Sequence, residues 1–541
     1  MINQFISVLK DSRKSLAQFL RQHKILIIIT IVAVLFAYGA KIAWFSFSID
    51  TEDLLNDLSK SHAIHIALQR YGSVFIDRLL GLSGNIFLRD ILATTTLIIL
   101  SIVVSFIVWK VKGIKKRDNG LVILSLLFTT SPIIAEQYIF SSQSFQVFLG
   151  ALLVAIAVFL VSQTRQTTLP RIKLTKSIRK NLLVYTTSVL LSAFAFSIYQ
   201  SIFIFFIAMA AILLAVSKNV YEHRKFWRKA LEYVMVFLVA FAVYYALPYV
   251  HSLWVYGDLS HVGIGYITSS ITWGIKPFGE IMQSIWDYIN LNFGSESLYI
   301  GWSALCVIIV LSIVISWQAF ARKNKASVIN QSICILVMLL SMIAIYIILG
   351  SDSPIRSLFP TVPFVIAFLF YLAISSAPQK WLATAIIASG IILSFAQMRT
   401  TADMLFAEHI KFREEEFITS RIIGRLDQLG FSDYDNYDLA IIGQYQFKSK
   451  PLVTELAKGR HDVLTGSFYS WDIGIMQSTH RVLGFMETKG IYFKSGATHY
   501  LRNFPSKYKV ILQKYKETLP HWPAAGSVVI DDEEKVIVVN F

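Results

Sequence analysis

"WFSFSIDTEDLL", residues 44–55, decides how this chain is read. An apolar run that begins near Ile25 ends here, and Asp50, Glu52 and Asp53 follow at once. The run has about 20 residues, the length a helix needs to cross a bilayer with its backbone polar groups satisfied internally. No small-residue cleavage site follows it, so it reads as a membrane helix over 25–47, not as a removed signal peptide. The three acids then sit where a helix leaves the membrane.

Working outward, the whole chain has the same character. Its 541 residues are 55% hydrophobic and 16% charged, with a mean hydropathy of +0.57. Apolar runs recur at about 90–109, 121–138, 144–162, 182–216, 230–250, 297–317 and 329–349, and twice more after Pro360. "YQS" at 199–201 interrupts the 182–216 run. One long helix there would carry the basic "KNVYEHRKFWRK" (218–229) to the outer side, whereas two short helices keep it inside, as the positive-inside tendency favours. The reading is a polytopic α-helical membrane protein with about 11 transmembrane helices, its N-terminus cytoplasmic and its C-terminus extracytoplasmic.

The formal net charge of +16 does not point to nucleic acid. From Met398 onward there are 18 basic and 18 acidic residues, so the excess belongs entirely to the membrane part, where 32 basic residues face 16 acidic ones. Cys306 and Cys334 both lie in apolar runs and read as small packing residues. The domains expected are a cytoplasmic amphipathic segment (1–24), a membrane module (25–397) with long outer loops at 48–89 and 251–296, and an outer α/β domain (398–541). In the last of these, "YDLAIIGQ" (437–444), "RVLGFM" (481–486), "YKVILQ" (508–513), "GSVVIDD" (526–532) and "KVIVVNF" (535–541) read as strands. "EEEFITSRIIGRLDQL" (414–429) reads as a helix, and Trp471 and Trp522 as core.

The outer face carries the candidate chemistry. A carboxylate near apolar surroundings gains proton affinity, which suits a general base working near neutral pH. Asp50, Glu52 and Asp53 fit that role; they equally fit a helix N-cap and first turn. Lys60, Arg70, Arg78, Arg89, Lys276 and Arg356 are the cations that this topology leaves outside, against the usual charge bias. Arg356 precedes an apolar run, and a cation at that depth suits an anionic lipid phosphate, with Arg78, Arg70 and Lys276 as further candidates. The competing reading is structural ion pairing, and Arg89 reads as an interfacial anchor. Trp254, Tyr256, Tyr266, Trp273, Trp286, Tyr299 and Trp302 crowd 251–302 as an interface belt, or as sugar platforms in a few cases. His62 and His65 are half of a possible metal site; the three clustered acids could hold a divalent ion, Mg or Mn.

These pieces carry a resemblance. "SIDTE" (48–52), "RYGSVFIDRLL" (70–80), "SIYQSIFI" (197–204), "PIRSLFPTVPF" (354–364) and "HWPAAGSVVIDDEEKVIVVNF" (521–541) are similar to the bacterial serotype-converting glucosyltransferases of Gtr type II, within the GT-C class of membrane glycosyltransferases. Where that family tends to show Gly-Arg in the first loop, this chain has Arg70-Tyr71-Gly72. The resemblance implies a bacterial cytoplasmic-membrane enzyme that moves a hexose, such as glucose, from a polyprenyl-phosphate donor to a cell-surface polysaccharide, with inversion. It implies Asp50 as base with Glu52 as second choice, cations around the donor phosphate, and Tyr199, Gln200 and Trp273 near the substrates. It further implies work alongside a lipid-linked-sugar synthase and a flippase. A flippase for lipid-linked sugar and a non-catalytic envelope scaffold are the other functions weighed; few charges inside helices and no internal repeat speak against the former.

Overall fold

The computed structural model describes residues 2–541 apart from 115, 165–173, 264, 266–268, 295–296, 322–324, 378, 450–465, 472–477 and 498–504. Tyr266, the side chains of Trp302 and Cys306, and much of the basic stretches at 165–180 and 322–325 therefore lie outside the described residues.

The amphipathic start is helix α1 (Ile2–Gln22), followed by α2 (Lys24–Ala43). At Trp44 the chain turns extended; Trp44 and Phe45 are exposed, and Ser46 to Ile49 are buried. The first long loop holds three short helices, α3 (Thr51–Asn56), α4 (Leu58–Ala67) and α5 (Tyr71–Leu80). Then come α6 (Ile86–Lys112), the pair α7 (Gly120–Thr129) and α8 (Pro132–Ile139) bent by 41°, and α9 (Ser144–Ser162). The bend follows from Pro132, which cannot continue the backbone ladder of α7. α10 (Leu174–Phe196) and α11 (Ile202–Val216) flank the break expected at 199–201. α12 (His223–Tyr256), α13 (Phe278–Phe293), α14 (Gly301–Ala321), α15 (Lys325–Leu349), α16 (Thr361–Ser376) and α17 (Lys380–Gln428) complete the helical body.

Among the described residues six helices are long and apolar enough to cross a membrane, or seven with α7–α8 as one bent span. Shorter apolar helices lie at 181–196, 202–216, 307–316 and 361–376. Large apolar side chains remain exposed along α2 (Leu35, Phe36), α12 (Leu231, Leu238, Val239) and α17 (Ile391, Ile392, Phe395). Exposed patches of that kind face lipid in a membrane protein. The chain is a helical membrane protein.

One end of the bundle gathers the basic loops. Lys110 pairs with Asp11 at 2.6 Å, the amide of Asp118 donates to His23 Nε2, and Lys112 donates to Tyr371. The opposite end carries Asp50, the first long loop and the C-terminal part.

The C-terminal part has a small sheet of order β1-β3-β2, built from β1 (Asp438–Ile442), β2 (Val528–Asp531) and β3 (Val536–Asn540). β1 and β3 are parallel, and β2 and β3 antiparallel. Two expected strands are instead helices, α18 (Thr479–Glu487) and α19 (Pro505–Tyr515). "RVLGFM" and "YKVILQ" are short apolar runs that a strand and a buried helix share; packing against β1 selects the helix. α17 has 49 residues and no proline, so at 1.5 Å per residue it spans about 74 Å, more than twice the hydrocarbon thickness. It passes through Met398 unbroken, and "EEEFITSRIIGRL" is its last stretch.

Candidate active site

The extended segment 44–50 is fastened from three sides. Lys41, buried at the end of α2, donates to the Ser46 carbonyl at 2.7 Å and lies 3.6 Å from the buried Glu408 of α17. Phe47 packs in a ring cluster with Phe412, Phe468 and Phe485. The Ile49 amide donates to the Gly466 carbonyl at 3.1 Å. Gly466 has φ +75, and a Cβ there would stand 2.5 Å from Ser48 Cβ, so glycine is what lets the two strands of chain touch.

Asp50 follows with φ 69, a left-handed conformation uncommon outside glycine and found mostly for Asn, Asp and His. It occupies the N-cap position of α3 without making a side-chain cap; Asp57 is the acid that caps, accepting from the amides of Ser59 and Lys60 at the start of α4. The capping alternative thus fails for Asp50. Its side chain is 47% exposed and meets Arg481 Nη2 at 3.0 Å. Arg481 Nη1 meets Glu52 at 3.0 Å. Glu52 is buried, its Oε2 has no hydrogen-bond partner among the described residues, and Gly484 leaves room beside it. Burial pushes its carboxyl up to about 8 against the pull of Arg481. Asp53 pairs with Lys60 at 2.6 Å on the other side of α3.

The cations of the site converge on the turn between α8 and α9. Ser48 Oγ donates to the Ile139 carbonyl at 3.1 Å, which sets the acid segment against this turn. The guanidinium of Arg356, on a 3-10 turn at Ile355–Leu358, stacks over Phe140 at 4.1 Å. Arg89 donates to the Ser142 carbonyl and, at 3.0 Å, to Asp77; Arg70 donates to Gln143 at 2.8 Å and lies 4.9 Å from the Tyr199 ring. Arg89 is 1% exposed, so it is an internal lock and not the interfacial anchor expected. Its partner Asp77 also accepts from Gln146 at 2.5 Å and has His62 Nε2 3.6 Å away. Arg356 makes no ion pair among the described residues, and a cation over an aromatic face remains available to an anion.

His65 of α4 faces the same space. Desolvation, with Arg70 adding repulsion, lowers its imidazole to about 3, while Asp50 works in the other direction. Gln200 donates to the Leu68 carbonyl and to Tyr244 Oη, and Tyr199 and Gln200 are both buried. Among the described contacts, none joins Arg78, Lys276 or Trp273 to the acid segment. Arg78 is exposed on the last turn of α5, Lys276 is exposed, and Trp273 donates to the Ile347 carbonyl.

Asp50 and Glu52, the acids best placed to grip a divalent ion, share Arg481 instead. Among the described residues no three His, Cys, Asp or Glu side chains form a group that could hold a metal.

The sequence reading missed Arg481 and the 139–143 turn. Arg481 lies more than 400 residues from Asp50 within an apolar hexapeptide, and nothing local marks it. The turn holds no charged residue, and its role comes from what other segments bring to it.

The family model for glucosyl transferase GtrII matches residues 39–374, more than half of the chain and including the acids, the 139–143 turn and Arg356. The chain belongs to the GtrII glucosyl transferase family. It is a glycosyltransferase, and Arg481 lies beyond the matched region of that family. No curated protein and no solved structure matches it.

Proposed function

We propose that the protein transfers a hexose, glucose by its family, from a polyprenyl phosphate to a surface polysaccharide on the extracytoplasmic side of the bacterial membrane, with inversion. The observation that carries this is the 139–143 turn, where the acid segment and the guanidinium groups of Arg70, Arg89 and Arg356 meet. A general base and a cradle for a phosphate leaving group are the two things such a transfer needs.

In this reading the lipid tail lies among the helices and the phosphate rests at Arg356 and Arg70. The acceptor hydroxyl enters beside the exposed carboxylate of Asp50. As its oxygen bonds to the anomeric carbon, the bond from that carbon to the phosphate oxygen breaks. The hydroxyl proton goes to Asp50, and the electron pair leaves with a phosphate monoester held by the arginines. Glu52, uncharged near neutral pH, leaves Arg481 to hold Asp50 in place. No nucleotide is required of these residues. The basic end of the bundle would face the cytoplasm, by the usual charge bias.

The test is transfer of radiolabelled sugar from polyprenyl phosphate to the host's surface polymer by purified protein. Asp50→Asn is expected to lower the rate by about 10²–10⁴, the contribution of a general base, with donor binding kept. Glu52→Gln is expected to retain a larger share of activity. Normal transfer by Asp50→Asn would end this assignment.

A further inference from the structure

The C-terminal part holds a cleft of about 620 Å³ that the transfer chemistry above does not use. It opens at the carboxyl ends of the two parallel strands: Gly443, Gln444, Tyr445 and Gln446 follow β1, and Phe541 follows β3. The carboxyl ends of strands in open α/β sheets are where ligands bind. Gly443 has φ +80, and a Cβ there would meet the Phe541 carbonyl oxygen at 2.5 Å, so glycine lets the two strand ends close together. Trp522 is fixed by its amide, which donates to the Asn540 carbonyl at 2.7 Å, and by Arg421 of α17, whose guanidinium lies 5.1 Å from its ring. Trp522, half-buried and packed against the hydrophobic core as expected, is thus also a wall of this cleft.

The lining has one chemistry. Tyr445, Trp522 and Phe541 offer aromatic surface, and Gln444 and Gln446 offer amides that can donate and accept. Arg421 and Lys448 add donors, and among the described residues no carboxylate side chain lines the cleft; Glu414, behind it, accepts from Tyr445 Oη and the Lys448 amide. Aromatic faces match the C–H faces of a sugar ring, and paired amides match its vicinal hydroxyls. A cationic or purely apolar ligand would find no complement. The cleft also adjoins the acids. The Tyr445 amide donates to the Tyr469 carbonyl, and three residues earlier the Gly466 carbonyl accepts from Ile49. The three residues between these bonds turn at Ser467, whose hydroxyl accepts from the Tyr469 and Ser470 amides, so the two bonds lie within roughly 10 Å of each other, the reach of three extended residues.

We propose that this cleft binds a saccharide segment of the acceptor polymer and presents a neighbouring sugar to Asp50. The proposal takes the ligand's identity from the transfer reading above. Its probe is delipidated surface polysaccharide from the host, titrated into the full-length protein in detergent, followed by acceptor kinetics. Trp522→Ala should weaken binding and raise the acceptor KM by about tenfold, the scale of one aromatic contact, with donor KM and kcat kept. Gln446→Ala changes an exposed side chain that carries no fold, and it should move the same two readings in the same direction. Asp50→Asn should bind the polysaccharide as wild type does. If both cleft variants keep wild-type binding and acceptor KM, the cleft is no acceptor site, whatever Asp50→Asn does. If Asp50→Asn transfers normally while the cleft variants lose binding, the base assignment fails and the cleft stands.

Discussion

Glu52 shows how a single carboxyl can be set by burial. Its usual value is 4.5, and in the folded protein it is pushed up to about 8. Between those values the folded chain holds a proton that the unfolded chain releases, so raising the pH across this window weakens the fold. Glu52→Gln removes that dependence. Thermal unfolding in detergent should therefore find the variant gaining on wild type as pH rises from about 5 to 8.5, and level with it below about 4. A constant difference over the range would mean that Glu52 is ionised in the fold. Asp50, two residues away, is half-exposed and shares the same guanidinium. No spacing rule tells these two acids apart, because the difference comes from what covers them, and Arg481 and Gly484 stand against Glu52.

At the scale of elements, Arg89 ties three pieces together: α5 through Asp77, the loop at Ser83, and the α8–α9 turn at Ser142. Arg89→Ala leaves Asp77 charged and buried without its partner. Breaking a buried pair from one side costs about 3–5 kcal/mol, so a clear fall in thermal stability is expected, together with lost transfer. The double change Arg89→Met with Asp77→Leu should recover much of the stability, since it leaves no orphan charge. If Arg89→Ala unfolds like wild type, the lock is not structural. Element boundaries were legible where apolar runs are long, as in α9 and the break at 199–201, but the first span, read to 47, ends at Ala43, because Trp44 turns extended. They were misread at 481–486 and 508–513, where six residues carry too little period to separate helix from strand.

At the scale of the whole molecule, the two ends differ in charge, and the proposed topology makes this measurable. In a background lacking native cysteines, Lys60→Cys and Lys494→Cys should react with a membrane-impermeant maleimide in intact spheroplasts. Lys225→Cys should react after lysis alone. Labelling of Lys225→Cys in intact spheroplasts would invert the topology and remove the acids from the side where a surface polymer is modified. The same scale explains why α17 matters. Some 74 Å of unbroken helix carries the C-terminal part out of the bundle, and the Phe47, Phe412, Phe468 and Phe485 rings clamp it onto the acid segment.

Composition and periodicity by themselves determined that this is a helical membrane protein, since a bilayer accepts few solutions and long apolar runs announce them. They also placed acids at the exit of the first long helix and nominated Arg70 and Arg356. Tertiary structure alone decided that those groups meet at the 139–143 turn, that Arg481 joins Asp50 to Glu52, and that one acid is exposed while its neighbour is buried. The reason is physical. A hydrophobic run is a local property, whereas a cradle of charges depends on contacts between segments hundreds of residues apart.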